Sequence, residues 1–287
     1  MTVRRTVFEP LGPGLNRTWE LSEVLYETRT PFQSVLIGRT AQGVSLFCDD
    51  ERQSTESSQL TYHEALMVPT MLLARQLRRV LVIGSSEGVA SELAAGWGAE
   101  LVDHVDIDEA AVTACAEYLP YGYTVEALKE AERGTGRIRM HYRDGWEFLA
   151  EAARDGHRYD VIVIDLPDEN ENPEAQHNRL YGKDFLRRCA ELLTEGGVVG
   201  CQAGCPTLWR NSTLATAWDR FSEAFGTVLY YGSDEHEWAF LTGRVDRLDD
   251  PVSAVCHQLR DSARTPSTLD EPALRANTLP PHSLRTR

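Results

Sequence analysis

Four short apolar runs in this chain each lead into an acidic or glycine-rich corner, and this repeat constrains the fold more than any other feature. Residues 80–83 (Val-Leu-Val-Ile) close on Gly84, and 101–105 close on Asp106. Residues 138–140 precede Asp144, and 159–164 close on Asp165. The uninterrupted runs, 80–83 and 161–164, suit strands buried on both faces. Between them lie stretches with helical spacing at 62–77, 88–95, 109–118, 146–153 and 183–193, and Val198-Val199-Gly200 opens a further strand after Gly196-Gly197. Alternation of this kind predicts an α/β fold, a doubly wound parallel sheet with helices on both faces. Upstream, 34–37 and 44–48 read as antiparallel strands turning at Gly43 and Asp49-Asp50. A small N-terminal β-domain over 1–59 is therefore expected ahead of a larger α/β domain over 60–287. The polar stretch from Val245 to Arg287 carries Pro266, Pro272, Pro280 and Pro281 and reads as a helix plus an extended tail, or as partly disordered.

Charge narrows the partners. Lys plus Arg is 29 against 44 Asp plus Glu, a formal net charge of −15. Such a balance disfavours nucleic acid and anionic lipid and favours neutral or cationic partners. No window approaches the roughly 20 apolar residues of a bilayer span. No apolar stretch follows Arg4 and Arg5, so a secretory signal is not expected and the chain reads as cytoplasmic. Cys48, Cys115, Cys189, Cys201, Cys205 and Cys256 contain no C-x-x-C pair and read as reduced, buried thiols. No metal site is expected.

In an open parallel sheet, ligands bind beyond the carboxyl ends of the strands. Gly84-Ser85-Ser86-Glu87-Gly88 resembles a nucleotide loop, although a plain tight turn would look the same. Asp106, about 20 residues on, can accept both hydroxyls of a ribose. Asp108 is more simply a helix cap, and Asp144 with Gly145 suits an adenine contact. The loop lacks G-x-G-x-x-G and has no nearby Lys or Arg for phosphates. Together these features point to an adenosyl ligand without a pyrophosphate, S-adenosylmethionine or a relative. Asp165 and Asp168 stand three apart beyond the most apolar strand. One carboxylate can hold an ammonium while the other draws a proton from an attacking amine.

The stretches Met140-His141-Tyr142-Arg143-Asp144-Gly145-Trp146 and Tyr159-Asp160-Val161-Ile162-Val163-Ile164-Asp165-Leu166-Pro167-Asp168 resemble the polyamine aminopropyltransferases, the spermidine and spermine synthases. Asp49-Asp50-Glu51-Arg52-Gln53 is similar to that family's L-D-G-x-x-Q turn, and Tyr62-His63-Glu64 to its Y-H-E. Tyr118-Leu119-Pro120, Cys201-Gln202 and Leu274-Arg275-Ala276-Asn277-Thr278-Leu279-Pro280-Pro281 extend the likeness over roughly residues 25–281.

The resemblance implies a small β-domain, a Rossmann-like catalytic domain of the class I methyltransferase type, and a homodimer. It implies that Gln33 and His63 line the sulfonium ligand's tail, that Glu87 binds its amino group, Asp106 its ribose and Asp144 its adenine. Asp165 would deprotonate the acceptor amine, and Tyr62, Asp168, Gln202 and Tyr231 would help place it. The co-substrate would be decarboxylated S-adenosylmethionine, with methylthioadenosine released.

Departures bear on the substrates. Where the family has G-G-G-D-G-G, this chain has Gly84-Ser85-Ser86-Glu87-Gly88-Val89, and the family's acidic pair ahead of Y-H-E is Ser58-Gln59. The two added hydroxyls could meet a donor carboxylate. An alternative therefore stays open, in which intact S-adenosylmethionine donates a methyl or aminocarboxypropyl group to an amine. The family's acceptor loop T-Y-P-S-G is here Tyr231-Gly232-Ser233-Asp234-Glu235-His236-Glu237-Trp238. That loop could bind a more highly charged amine or be a solvated turn.

Overall fold

The computed structural model describes residues 5–12, 14–169, 176–232 and 237–286. The chain opens with a hairpin, β1 (Arg5–Gly12) and β2 (Leu15–Leu21). An antiparallel meander follows: β3 (Glu23–Arg29), β4 (Ser34–Thr40), β5 (Gly43–Cys48) and β6 (Glu51–Thr55). Val7, Trp19, Leu21, Leu36 and Phe47 form the small core between them. The Asp49-Asp50 turn has φ of 49° and 66°, left-handed backbone that Asp tolerates better than most residues.

The larger part runs α1 (Gln59–Leu73), β7 (Arg79–Gly84), α2 (Val89–Trp97), β8 (Leu101–Asp106), α3 (Glu109–Tyr118), α4 (Val125–Arg133), β9 (Ile138–Tyr142), α5 (Gly145–Arg154) and β10 (Tyr159–Asp165). A 3-10 turn at Gln176–Tyr181 precedes α6 (Lys183–Glu191), β11 (Leu193–Gln202), α7 (Ser212–Ala224), β12 (Thr227–Gly232) and β13 (Ala239–Arg244). The seven strands lie in the order β12-β13-β11-β10-β7-β8-β9. All neighbouring pairs from β11 to β9 are parallel, while β13 is antiparallel to both β11 and β12. From β7 the chain winds outward to β8 and β9, then returns to place β10 on the other side. The order thus reverses between β7 and β10, where an open α/β sheet forms its ligand crevice.

The expected doubly wound α/β sheet is present. The tail differs from expectation: α8 (Pro251–Asp261), α9 (Glu271–Asn277) and α10 (His282–Arg285) make it largely helical. Leu269, Leu274 and Leu284 are buried, so apolar anchors spaced among the prolines dock it onto the fold. The prolines of α8 and α9 stand in the first helical turn, where a missing N–H costs nothing. The β1–β2 hairpin and α4 were not anticipated; α4 has only Leu128 and Ala131 buried, too weak an apolar stripe to register. No helix among the described residues is long and apolar enough to cross a membrane. All six cysteines are free and buried.

Candidate active site

Two strand ends meet at the reversal. Asp165 pairs in register with Gly84, and the Ser85 amide donates to the Asp165 carbonyl at 2.9 Å. Gly84 has φ +83°, and a Cβ there would lie 2.2 Å from that carbonyl oxygen, so the approach requires glycine. Ser85 (φ +63°) and Gly88 (φ +81°) carry the loop on into α2. The Asp165 side chain is only 8% exposed. Its Oδ1 accepts from the Tyr62 hydroxyl at 2.7 Å, and its Oδ2 lies 3.7 Å from His63 Nε2. His63 Nδ1 is 2.7 Å from the Gln59 carbonyl within α1. Burial first, then the Asp165 charge, hold the Tyr62 phenol well above its ordinary pKa, so it stays a donor.

Why these residues stand here follows from α1. Glu64, 3% exposed, accepts from the Ser267 and Thr268 amides and the Thr268 hydroxyl at 2.6–2.9 Å. The Y-H-E triplet thus divides its work: Glu64 ties α1 to the C-terminal segment while Tyr62 and His63 face Asp165. Beyond Asp165, the Tyr181 hydroxyl donates to the carbonyls of Leu166 and Pro167 at 2.8 and 2.9 Å and fixes the loop toward Asp168.

A cavity of about 300 Å³ opens along this edge, at the lower end of the range for small-molecule sites. Its walls include Gln33, Ser85, Glu87, Asp106, Asp144 and Asp165. Asp106 accepts from the Ser86 hydroxyl at 2.7 Å and the Asp108 amide at 2.8 Å. Burial pushes its carboxyl up to about 6, against the pull of those two hydrogen bonds. Asp108 caps α3 through the Ala111 amide at 3.2 Å and also accepts from Thr30 at 2.8 Å and Gln33 at 3.1 Å. Asp144 caps α5 through Trp146 and Glu147 and pairs with Arg179. The Ser85 hydroxyl is buried without a hydrogen-bond partner among the described residues.

A second, smaller pocket of about 30 Å³ shares Gln53, Tyr62, Leu166 and Pro167 with the first. Glu9, Glu51, Arg52, Asp168, Gln202, Arg210 and Trp238 complete it. Gln202 Nε2 donates to Asp168 at 2.7 Å, and Arg210 lies 3.7 Å from the other carboxylate oxygen. Burial raises the Asp168 carboxyl, while Gln202 and then Arg210 oppose the rise. Among the described residues no group of three or more His, Cys, Asp or Glu side chains is placed to hold a metal ion.

The same order of features runs through known proteins. The family model of the spermine/spermidine synthase domain matches residues 59–231. The chain belongs to that family. Polyamine aminopropyltransferase 1 of Hyperthermus butylicus is 32% identical over 237 residues, covering 81% of this chain and 75% of the relative. Its namesake in Pseudomonas aeruginosa is 28% identical over 265 residues, covering 88% and 87%. Among solved structures, spermidine synthase in complex with the transition-state analogue AdoDATO superposes with a TM-score of 0.83 at 20% identity, covering all of this chain and 96% of that one. Spermidine synthase from Thermotoga maritima gives 0.80 at 19%, covering 100% and 95%. These superpositions establish the Rossmann-like fold of the spermidine synthases.

Against the sequence-based expectations for this family member, Gln33, Tyr62, His63, Gly84, Glu87, Asp106, Asp144, Gly145 and Asp165 all line the larger cavity. Asp168 and Gln202 line the smaller one. Tyr231 is on neither described wall; it is 4% exposed, packed with Leu229 of β12 in the core cluster that includes α1. Asp234, Glu235 and His236 lie outside the described residues. Sequence reasoning did not single out Arg210, which follows β11 by only eight residues; a lone arginine just past a strand's carboxyl end was the available signal. Arg143, His177 and Leu180 on the larger cavity were likewise missed.

Proposed function

We propose that this protein transfers an aminopropyl group from decarboxylated S-adenosylmethionine to an amine acceptor and releases methylthioadenosine. The observation that carries this reading is the position of Asp165 with Tyr62. Tyr62 belongs to both pockets, and the 2.7 Å bond it donates reaches the Asp165 carboxylate on the wall of the larger one. In the larger cavity Asp106 accepts the ribose hydroxyls, the Asp144–Gly145 corner meets the adenine, and Gln33, His63 and Glu87 surround the donor's aminopropyl arm. Asp168 and Gln202 hold the acceptor.

An aliphatic ammonium with a pKa of about 10.4 has no free pair at neutral pH, so a base must take its proton. Asp165 Oδ2, the oxygen not engaged by Tyr62, accepts it. The nitrogen then attacks the methylene next to S⁺. The N–C bond forms as the C–S bond breaks, and its electron pair returns to sulfur to give a neutral thioether. Loss of the sulfonium charge makes the leaving group good, so the protein supplies alignment and the base.

The reading takes 1–59 as an N-terminal β-domain and 60–287 as the catalytic domain, working in the cytoplasm as a homodimer. The purified protein, given decarboxylated S-adenosylmethionine and a panel of primary amines, should release methylthioadenosine with at least one of them; no release with any sinks the proposal. The unpartnered Ser85 hydroxyl favours a second reading, with intact S-adenosylmethionine as donor and its carboxylate on that serine. Glu87, 7% exposed on the same cavity, would repel that carboxylate. Calorimetric titration with both donors separates them: tighter binding of the decarboxylated form is expected, and the reverse order installs the second reading.

A further inference from the structure

Two buried side chains that the mechanism does not use bear on the loop between β7 and α2. His104, within β8, is 0% exposed, and Tyr123, in the connection from α3 to α4, is 2% exposed. A buried imidazole is costly unless its ring nitrogens find partners. Here Nε2 lies 2.7 Å from the Gly84 carbonyl oxygen and Nδ1 lies 2.8 Å from the Tyr123 hydroxyl. A carbonyl can only accept, so Nε2 carries the proton and Nδ1 accepts from Tyr123. Burial holds the imidazole down at about 4 and pushes the Tyr123 phenol up. Both groups are therefore neutral at pH 7, and the direction of the two hydrogen bonds is fixed.

The pair reaches opposite ends of one loop. His104 holds the carbonyl of Gly84, the last residue of β7. Tyr123 donates its own amide to the Glu87 carbonyl at 2.9 Å, just before α2 begins. The approach is as close as glycine permits on both sides. A Cβ on Gly88 would lie 2.3 Å from the Tyr123 ring, and one on Gly122 would lie 2.0 Å from the Glu87 carbonyl oxygen. Tyr123 belongs to a core cluster with Val112, Leu128 and Met140, none of which lines the larger cavity. The loop residues so held, Ser85, Ser86 and Glu87, do line it. Ser86 in turn donates to Asp106. Resting on the donor-site reading of that cavity, we infer that His104 and Tyr123 are positioning residues for the adenosyl donor. A buried relay from Tyr123 through His104 to Gly84, closed at the other end by the Tyr123 amide, sets Ser86 and Glu87 before the donor arrives. Neither side chain lines the cavity, so each acts through the loop. A loop already held in its bound shape loses less freedom on binding, so the relay contributes to donor affinity more than to the chemical step.

The test combines calorimetric titration with methylthioadenosine and steady-state kinetics, on the full chain at a temperature where thermal unfolding shows each variant folded. Tyr123→Phe keeps the ring against Gly88 and removes only the hydroxyl. It should weaken methylthioadenosine, and raise the KM of decarboxylated S-adenosylmethionine, by about fivefold. His104→Leu leaves the Gly84 carbonyl unpaired and should do the same by about tenfold or more. His104→Gln returns an amide N–H to face Gly84 and should bring both values to within threefold of wild type. In each variant kcat at saturating donor and the KM of the amine acceptor should change less than twofold, a split that lost stability alone does not produce. Wild-type methylthioadenosine affinity in folded Tyr123→Phe and His104→Leu, an equal rise in the acceptor KM, or no rescue by His104→Gln overturns the inference, as does a wild type that fails to bind methylthioadenosine. Weakened and rescued methylthioadenosine binding, without its release from the decarboxylated donor with any amine, supports the inference and refutes the aminopropyl-transfer reading instead.

Discussion

In the proposed site, the buried Asp106 carboxylate costs stability while it serves binding. Its carboxyl sits at about 6 in the folded protein against 3.8 in the unfolded chain, chiefly through burial. The unfolded state therefore loses its proton first as pH rises, and stability falls between about pH 4 and pH 6. The shift corresponds to a penalty of about 3 kcal/mol at neutral pH. Asp106→Asn should raise the unfolding free energy of the ligand-free protein by roughly 1–3 kcal/mol at pH 7.5 and change it little at pH 4. Urea denaturation at both pH values measures this, and equal effects at the two would contradict it. Methylthioadenosine affinity should weaken at least tenfold in the variant. In wild type it should fall as pH drops below about 6, because the protonated carboxyl no longer accepts both ribose hydroxyls. At this scale the sequence was informative where a side chain ends a strand, as at Asp106 and Asp165. It was silent where a role depends on a distant partner: nothing local to Gln33 or Arg210 states that Asp108 or Asp168 stands beside it. Tyr231 depends on distant partners too, since β12 pairs with β13 and buries it among residues far away in the sequence.

Helix α1 carries two of the residues around Asp165, and its position depends on Glu64. Removing that carboxylate's charge leaves the Ser267 and Thr268 amides with a weaker acceptor in a buried place. Glu64→Gln should lower stability by about 1–3 kcal/mol and reduce kcat more than it reduces donor affinity, because Tyr62 and His63 shift relative to Asp165. Steady-state kinetics with thermal unfolding would check this; wild-type kcat in a destabilised variant would separate Glu64 from the site. Strands β7 and β10 at the centre of the sheet were legible because their apolar runs are continuous. The helical tail was not, because prolines read as breakers unless their place in a helix's first turn is known. Its anchoring leucines are too far apart to form a stripe.

On the scale of the whole molecule, Glu237 links the N-terminal strands to the central sheet. It accepts two hydrogen bonds of 2.7 Å from Arg17 on β2 and one of 3.2 Å from Arg52 on β6. Burial pushes its carboxyl up, but the Arg17 hydrogen bonds and the fields of both arginines outweigh that and hold it below the usual range. A depressed carboxyl contributes stability that is present at neutral pH and lost as pH falls through its folded-state pKa. Glu237→Ala should cost about 2 kcal/mol, less than a fully buried pair because this one is partly exposed, and the loss should vanish in strong acid. Faster proteolytic cleavage of the β1–β2 hairpin in the variant would report the loosened contact, whereas unchanged cleavage would show that the hairpin is held by its own core. The repeat of strands and corners made the doubly wound sheet readable. The clamp was not, because it joins residues more than 180 positions apart.

One measurement bears most directly on the claim that Asp165 takes the acceptor's proton: single-turnover formation of methylthioadenosine by Asp165→Asn beside wild type, at saturating decarboxylated donor. With the base removed, the rate should fall by roughly 10²–10⁴-fold, while donor affinity stays within threefold. A variant that turns over at the wild-type rate with the donor bound would contradict it.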